Sequence, residues 1–268
     1  MDSWRGRLPG ERRSLLQVHR FDADTFIMRE NKCYSAEGNF MYLLLGMDKA
    51  LLLDTGDLQD ADSLLPRTGL PLTQAVRGIL AERQPPLELI VAHTHSHGDH
   101  VFWDSEFPPD AVVGHDRKSI MERFGLSDWP DGRAVFDLGG RPLDVFPIPG
   151  HEPHHIALYD RNTRILLTGD MLYPGVLTVP VAAWETYRQS AARLADFAAQ
   201  NPVSLVLGAH IEAKKTARQF YDPQTPFQPD EHALPLGVEH VRELHQACQA
   251  IGPKPRSDIH DDFLVEPL

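Results

Sequence analysis

Cysteine is nearly absent from this chain, with two in 268 residues, Cys33 and Cys248, far apart and outside any metal-like spacing. That excludes a disulfide framework and fits a reducing compartment. Long apolar runs are missing as well, and nothing approaches the roughly eighteen residues of a membrane-spanning helix. Met1 to Arg20 is arginine-rich, broken by Pro9 and Gly10, and has no apolar stretch of signal-peptide length. We therefore expect a cytoplasmic protein. Positive charge is short too: Lys+Arg number 26 against 38 for Asp+Glu, a net charge of -12. A field of that sign disfavours nucleic acid and anionic membranes as partners, which leaves a small-molecule substrate. The sequence does not address the oligomeric state.

Histidine, by contrast, is plentiful, and its clustering matters more than its count of 14. Residues 94 to 100 read Thr-His-Ser-His-Gly-Asp-His, directly after the apolar run Leu87 to Ala92. His95, His97, Asp99 and His100 thus place imidazole and carboxylate donors on one loop at a strand end, a donor set suited to zinc, iron or manganese. His95 and His97 share a face if the segment is extended, whereas Asp99 and His100 lie beyond the Gly98 turn. The spacing points to two neighbouring ions.

Read in order, residues 1–20 look like a peripheral arm. Strands are expected at Thr25–Met28, Phe40–Leu45 and Ala50–Leu53, the last two as a hairpin, and the third ends at Asp54. One or two helices should fill residues 58–83, with breaks at Pro66 and Pro71. After His100, a helix is expected to start within Val101–Phe107, with another at Asp116–Phe124. Short strands follow at Ala111–Val113, Val135–Phe136, Leu143–Phe146, Ile156–Tyr159, Arg164–Thr168 and Ser204–Leu207. Long helices are expected over Ala182–Gln200 and Val238–Ile251. Asp222–Leu236, with four prolines, reads as an ordered loop or lid. The main domain then runs from 21 to 252, and residues 253–268 form a loose tail. Asp170 and His210 stand at strand ends, and His151 lies in the turn Pro149-Gly150-His151.

The HxHxDH motif, the later His151, the Gly169-Asp170 pair and the Gly208-Ala209-His210 ending resemble the metallo-β-lactamase-fold hydrolase superfamily, most sharply its glyoxalase II-like branch. The likeness spans about residues 25 to 210. It implies an α/β fold, an αβ/βα four-layer sandwich of two mixed sheets flanked by helices, with metals at the edge between the sheets. It also implies two divalent ions, zinc first, with iron or manganese as alternatives. His95, His97 and His151 would hold one ion; Asp99, His100 and His210 the other; Asp170 would bridge them. The expected reaction is hydrolysis, by a metal-bound hydroxide, of an ester, thioester or lactone. Asp99 is the expected catalytic carboxylate, and Asp54 is expected to orient an imidazole.

β-Lactam hydrolysis is the first alternative, and Asp170 argues against it, because the β-lactamases of this fold generally carry Cys or Ser there. Iron-dependent sulfur oxidation or a redox role is the second. Tyr173, three residues after Asp170, matches a lactonase-like tyrosine and is a catalytic candidate. Val101-Phe102-Trp103-Asp104 departs from the Gly-Gly common in relatives, and Phe102 and Trp103 read as core. His93, His154 and His155 are read as non-ligands. Lys214, Lys215 and Arg218 read as a solvated helix face.

Overall fold

The computed structural model describes residues 14–32, 35, 37–57, 71–222 and 225–268. Two five-stranded sheets face each other. The first contains β1 (Leu16–Arg20), β2 (Thr25–Glu30), β3 (Phe40–Leu45), β4 (Lys49–Leu53) and β5 (Glu88–Ala92), in that order. The second has the order β11-β9-β8-β7-β6, built from β6 (Ala134–Asp137), β7 (Pro142–Pro147), β8 (Ile156–Asp160), β9 (Ile165–Gly169) and β11 (Leu205–Gly208). The helices are α1 (Pro71–Ala81), α2 (Gly98–Val101), α3 (Arg117–Phe124), α4 (Trp184–Gln200) and α5 (Val238–Ile251).

The layering follows from strands that are apolar on both faces, as strands covered on both sides must be. In β3, Phe40, Tyr42 and Leu44 face the inter-sheet core with Leu51 and Leu53 of β4 and Ile156 and Leu158 of β8. Their neighbours Met41, Leu43, Ala50 and Leu52 face the other way, onto Leu72 and Val76 of α1. On the far side, Ala157, Tyr159 and Leu166 meet Tyr187, Leu194 and Leu244 of α4 and α5. The result is the expected four-layer sandwich of two mixed sheets. Truncating a central residue such as Leu158, which is fully buried, to alanine should cost about 2–5 kcal/mol.

Three features differ from expectation. Residues 16–20 are an edge strand, pairing Leu16 with Glu30 and Arg20 with Phe26; only Leu16 is fully buried, so the segment carries little apolar signal. Residues 1–13 lie outside the described residues, as do Cys33 and Pro66. The C-terminal segment is not loose: β13 (Leu264–Pro267) pairs in parallel with β10 (Val176–Val179) and antiparallel with β12 (Asp258–Ile259). Phe263 and Val265 are fully buried. Its partner β10 was itself unrecognised, and a strand without a visible partner reads as tail. Pro71 opens α1 instead of breaking a helix, a position where its missing N–H costs nothing.

The parallel pairs position the site. β4 runs parallel to β5, β9 parallel to β11, and β7 parallel to β9 through β8. Residues following these strands therefore emerge at one edge of the sandwich. There the sheets are stitched together by Ile156 N donating to Thr94 O (2.8 Å) and Phe40 N to Ala209 O (2.9 Å).

Candidate metal centre

Two segments from the first sheet and three from the second converge at this edge. Asp54 follows β4, and His95 to His100 follow β5 into the single turn of α2. His151, Asp170 and His210 follow β7, β9 and β11. Gly169 is required in front of Asp170: its φ is +50°, and a Cβ there would lie 2.6 Å from His155 Nε2 and 2.7 Å from Thr94 Cβ.

The donors fall into two groups, His95/His97/His151 and Asp99/His100/Asp170/His210. In the first, His97 Nδ1 lies 3.0 Å from both His95 Nε2 and His151 Nε2. The outer nitrogen of His151 donates to Thr178 O at 2.8 Å, which turns Nε2 toward the cluster. In the second, Asp99 Oδ2 lies 3.3 Å from His100 Nε2 and 3.4 Å from His210 Nε2. Asp170 faces both: Oδ1 is 3.3 Å from His100 Nε2 and from His210 Nε2, and Oδ2 is 3.4 Å from His151 Nε2.

The residues fit divalent ions. Bonds of about 2.0–2.1 Å to a central ion place tetrahedral donors roughly 3.3–3.4 Å apart, which matches the second group's separations. His100 Nε2 and Asp170 Oδ1 are buried without a hydrogen-bond partner, a costly arrangement that a cation between them relieves. The electrostatics agree. Burial opposes charge on His100, yet Asp99, Asp170 and Asp54 raise its pKa well above the usual value. Burial likewise works against the Asp170 carboxylate, which His210 and His100 nevertheless hold well below the usual range. Burial, then the charge of His100, pushes His95 well down, so it is neutral and able to ligate.

Supporting contacts are well developed. Asp54 Oδ2 accepts from His100 Nδ1 at 3.0 Å, as expected of it, and Thr94 N donates to Asp54 Oδ1 at 2.7 Å. Asp54 adopts φ +68°, strained backbone of a kind that concentrates at functional sites. Asn39 donates to Asp99 Oδ2 at 3.1 Å and was missed from sequence. Because β3 starts where β4 ends, the residue before Phe40 had to sit at the same edge as Asp54, and strand polarity alone could have revealed it.

Other candidates behave differently. The Tyr173 hydroxyl donates to Val176 O at 2.5 Å, while its ring stands 5.4 Å from the His210 ring. Phe102 is exposed, not core, and Trp103 is half-buried. The expected helix at Val101–Phe107 is replaced by α2 and a short 3-10 turn at Asp104–Glu106. Lys214, Lys215 and Arg218 are not on a helix; the backbone of Lys214 forms an isolated antiparallel β-bridge with that of Glu231, and its ammonium lies 4.6 Å over the Tyr221 ring. The proline-rich segment is pinned to the domain by that bridge, by Lys215 N donating to Asp230 O (2.8 Å) and by the Arg29–Glu231 ion pair.

The metallo-beta-lactamase superfamily profile matches residues 35–210, and the chain belongs to that superfamily. It is 26% identical over 214 residues to the acyl-coenzyme A thioesterase MBLAC2 of Bos taurus, covering 67% of this chain and 75% of that protein. It is 26% identical over 236 residues to a hydroxyacylglutathione hydrolase of Chromohalobacter salexigens, covering 87% and 82%. Among solved structures, DIM-1 metallo-beta-lactamase exposed to ceftazidime aligns with a TM-score of 0.56 at 10% identity, over 89% of this chain and 99% of that one. The Hirschia baltica metallo-beta-lactamase aligns at 0.54 and 17% identity, over 91% and 100%. These two likenesses speak for the fold alone. The superfamily is one of metallohydrolases, and the thioesterase and the hydroxyacylglutathione hydrolase are both named as hydrolytic enzymes. No helix among the described residues is long and apolar enough to cross a membrane.

Proposed function

We propose that this chain is a binuclear metal-dependent hydrolase cleaving an acyl bond, with thioesters ahead of esters and lactones. His95, His97 and His151 would hold one ion, Asp99, His100 and His210 the other, and Asp170 both. Zinc is the first choice, since the imidazole–carboxylate set suits it, and iron or manganese could use the same donors. The observation that carries the reading is Asp170, whose two oxygens face different clusters. The order of substrates comes from the relatives: one is named for acyl-coenzyme A and another for hydroxyacylglutathione, both acyl groups carried on a thiol.

Two divalent ions bound there supply the charge that polarises an acyl carbonyl and makes water nucleophilic near neutral pH. The chain's own residues do the rest. Asp99, kept ionised against burial by His100 and His210 and oriented by Asn39, is the base for the water's proton. Asp54 fixes the ring of His100, and Thr178 O fixes that of His151. Tyr173 is assigned to positioning His210, because its hydroxyl is already engaged by Val176 O.

Metal content by atomic emission, followed by a panel of thioesters, lactones, phosphoesters and β-lactams, tests the proposal. At least two ions per chain and fastest turnover of a thioester are expected. Turnover of thiols that consumes O₂, or β-lactams as the best substrates, would sink it.

A further inference from the structure

Outside the seven-residue centre, a separate donor cluster forms from His93 at the end of β5, Asp104 after α2 and His115 before α3. We propose that this cluster is a third cation site, for a divalent transition ion of the zinc, cobalt or nickel kind, distinct from the two ions of the proposed centre. His93 Nε2 lies 2.8 Å from Asp104 Oδ1, and His115 Nε2 lies 2.7 Å from Asp104 Oδ2. Both rings present the same outer nitrogen to one carboxylate. They stand edge to face, with centroids 4.7 Å apart and planes at 87°. The His97–His151 pair has nearly the same disposition, 4.7 Å and 75°.

Two imidazoles and a carboxylate form a nitrogen–oxygen set of borderline softness, suited to this class of ion. The carboxylate is oriented from behind, because Thr55 Oγ1 donates to Asp104 Oδ1 at 3.0 Å, the kind of support that metal-binding groups receive. A cavity of about 10 Å³ adjoins the rings on the side away from Asp104, lined by His93, His95 and His115 and by the apolar Val113, Ile120 and Phe124. The site is reachable: the His93 side chain is only 4% exposed, but that of His115 is 37% exposed.

The same atoms also satisfy a simpler arrangement, in which both Nε2–H groups donate to Asp104. The separations of 2.7 and 2.8 Å are hydrogen-bond lengths, shorter than those at the main centre. A cation must therefore take the place of the two Nε2 protons, each neutral ring carrying its proton on Nδ1 instead, and spread the donors by about half an ångström. The exposed His115 is the member able to yield. An ion seated here would join the three segments that flank the His95–His100 loop.

The test uses the full chain, stripped with a chelator and titrated with Zn²⁺ and, separately, with Co²⁺. About three equivalents should bind the unaltered protein, counted by calorimetric titration. His115→Ala and Asp104→Asn should each bind about two, with circular dichroism unchanged in His115→Ala, whose side chain is half-exposed. His210→Ala should lose an equivalent at the main centre and keep the third. A saturating stoichiometry of about two in the unaltered chain, or a third equivalent that survives His115→Ala, overturns the proposal. Neither result depends on whether any acyl substrate is turned over.

Discussion

The two donor clusters at the sandwich edge are built by different means. The first is all imidazole: His95 and His97 come from one loop and His151 from another; His95 and His151 are buried and held by the Thr94 hydroxyl and by Thr178 O, whereas His97 is exposed. The second draws Asp99 and His100 from α2, Asp170 from behind β9 and His210 from behind β11, and is backed by Asp54 and Asn39. Carboxylates give it a negative field that the first cluster feels from Asp170 and, at His97, from Asp99. The difference indicates that the second cluster should hold its ion more tightly. A chelator should remove the ion at His95/His97/His151 first, leaving a one-ion form visible by metal analysis.

Asp170 is where the comparison can be broken most completely. Asp170→Asn keeps the shape but removes the carboxylate whose two oxygens face the two clusters. We expect a loss of roughly a thousandfold or more in kcat/KM and weakened binding of both ions. If metal analysis shows only one ion weakened, Asp170 serves one cluster and the bridge is wrong. Asp99→Asn should lower kcat by about 10²–10⁴-fold, the usual worth of a general base, with the first cluster's ion unaffected. A fall in KM affinity with kcat intact would remove Asp99 from the chemistry.

Asp54→Asn separates the clusters more finely. Asp54 touches His100 and Thr94 but nothing in the His95/His97/His151 group. Loss of such an outer carboxylate typically weakens a metal by about 10–100-fold, so competition with a graded chelator should show that loss in the second ion alone.

Most of this centre was legible in the sequence because its donors sit in short motifs at strand ends, where a two-residue alternation and a glycine turn dictate direction. Asp54 was legible for the same reason. Asn39 was not, because one polar residue before an apolar strand carries no pattern until the strand's direction is known. The ends of the chain were misread for an energetic reason. β1 and β13 are short and contribute few buried side chains each, so each depends on a partner strand for its conformation. Phe102 was misjudged because an aromatic residue beside buried ligands was expected to fill core, whereas α2 is a single turn with only His100 buried.

In chelator-stripped protein the imidazoles of the two clusters should respond to pH in opposite senses, while Asp99 and Asp170, held below the usual carboxylate range, add a loss only at more acid pH. Burial and the charge of His100 lower His95, so its neutral form is favoured by folding. That contribution is complete above the unfolded imidazole pKa of about 6.5 and is lost as pH falls below it. Burial opposes charge on His100 and His210, but the surrounding Asp99 and Asp170 raise both. Their contribution is complete below about 6.5 and is lost as pH rises through the raised folded values. Thermal melts should therefore show an acid limb that His95→Gln flattens and an alkaline limb that His210→Gln flattens. Both limbs responding to one substitution would mean that the clusters titrate as a single unit.

The smallest effect expected is that of Tyr173→Phe, and it decides whether the second cluster has a chemical neighbour or a structural one. The hydroxyl is buried, burial raises its pKa well above the usual value, and its proton goes to Val176 O. Val176 begins β10, the strand that anchors the C-terminal β13, so this bond ties the metal edge to the far sheet. Removing it should cost about 1 kcal/mol of stability and leave kcat within about twofold, because the ring still packs on His210. Tyr173→Ala should do far more, since it also opens a cavity behind His210, at about 3–5 kcal/mol. A tenfold fall in kcat for Tyr173→Phe, with melting temperature and metal content unchanged, would instead mean that the hydroxyl leaves Val176 to meet the substrate.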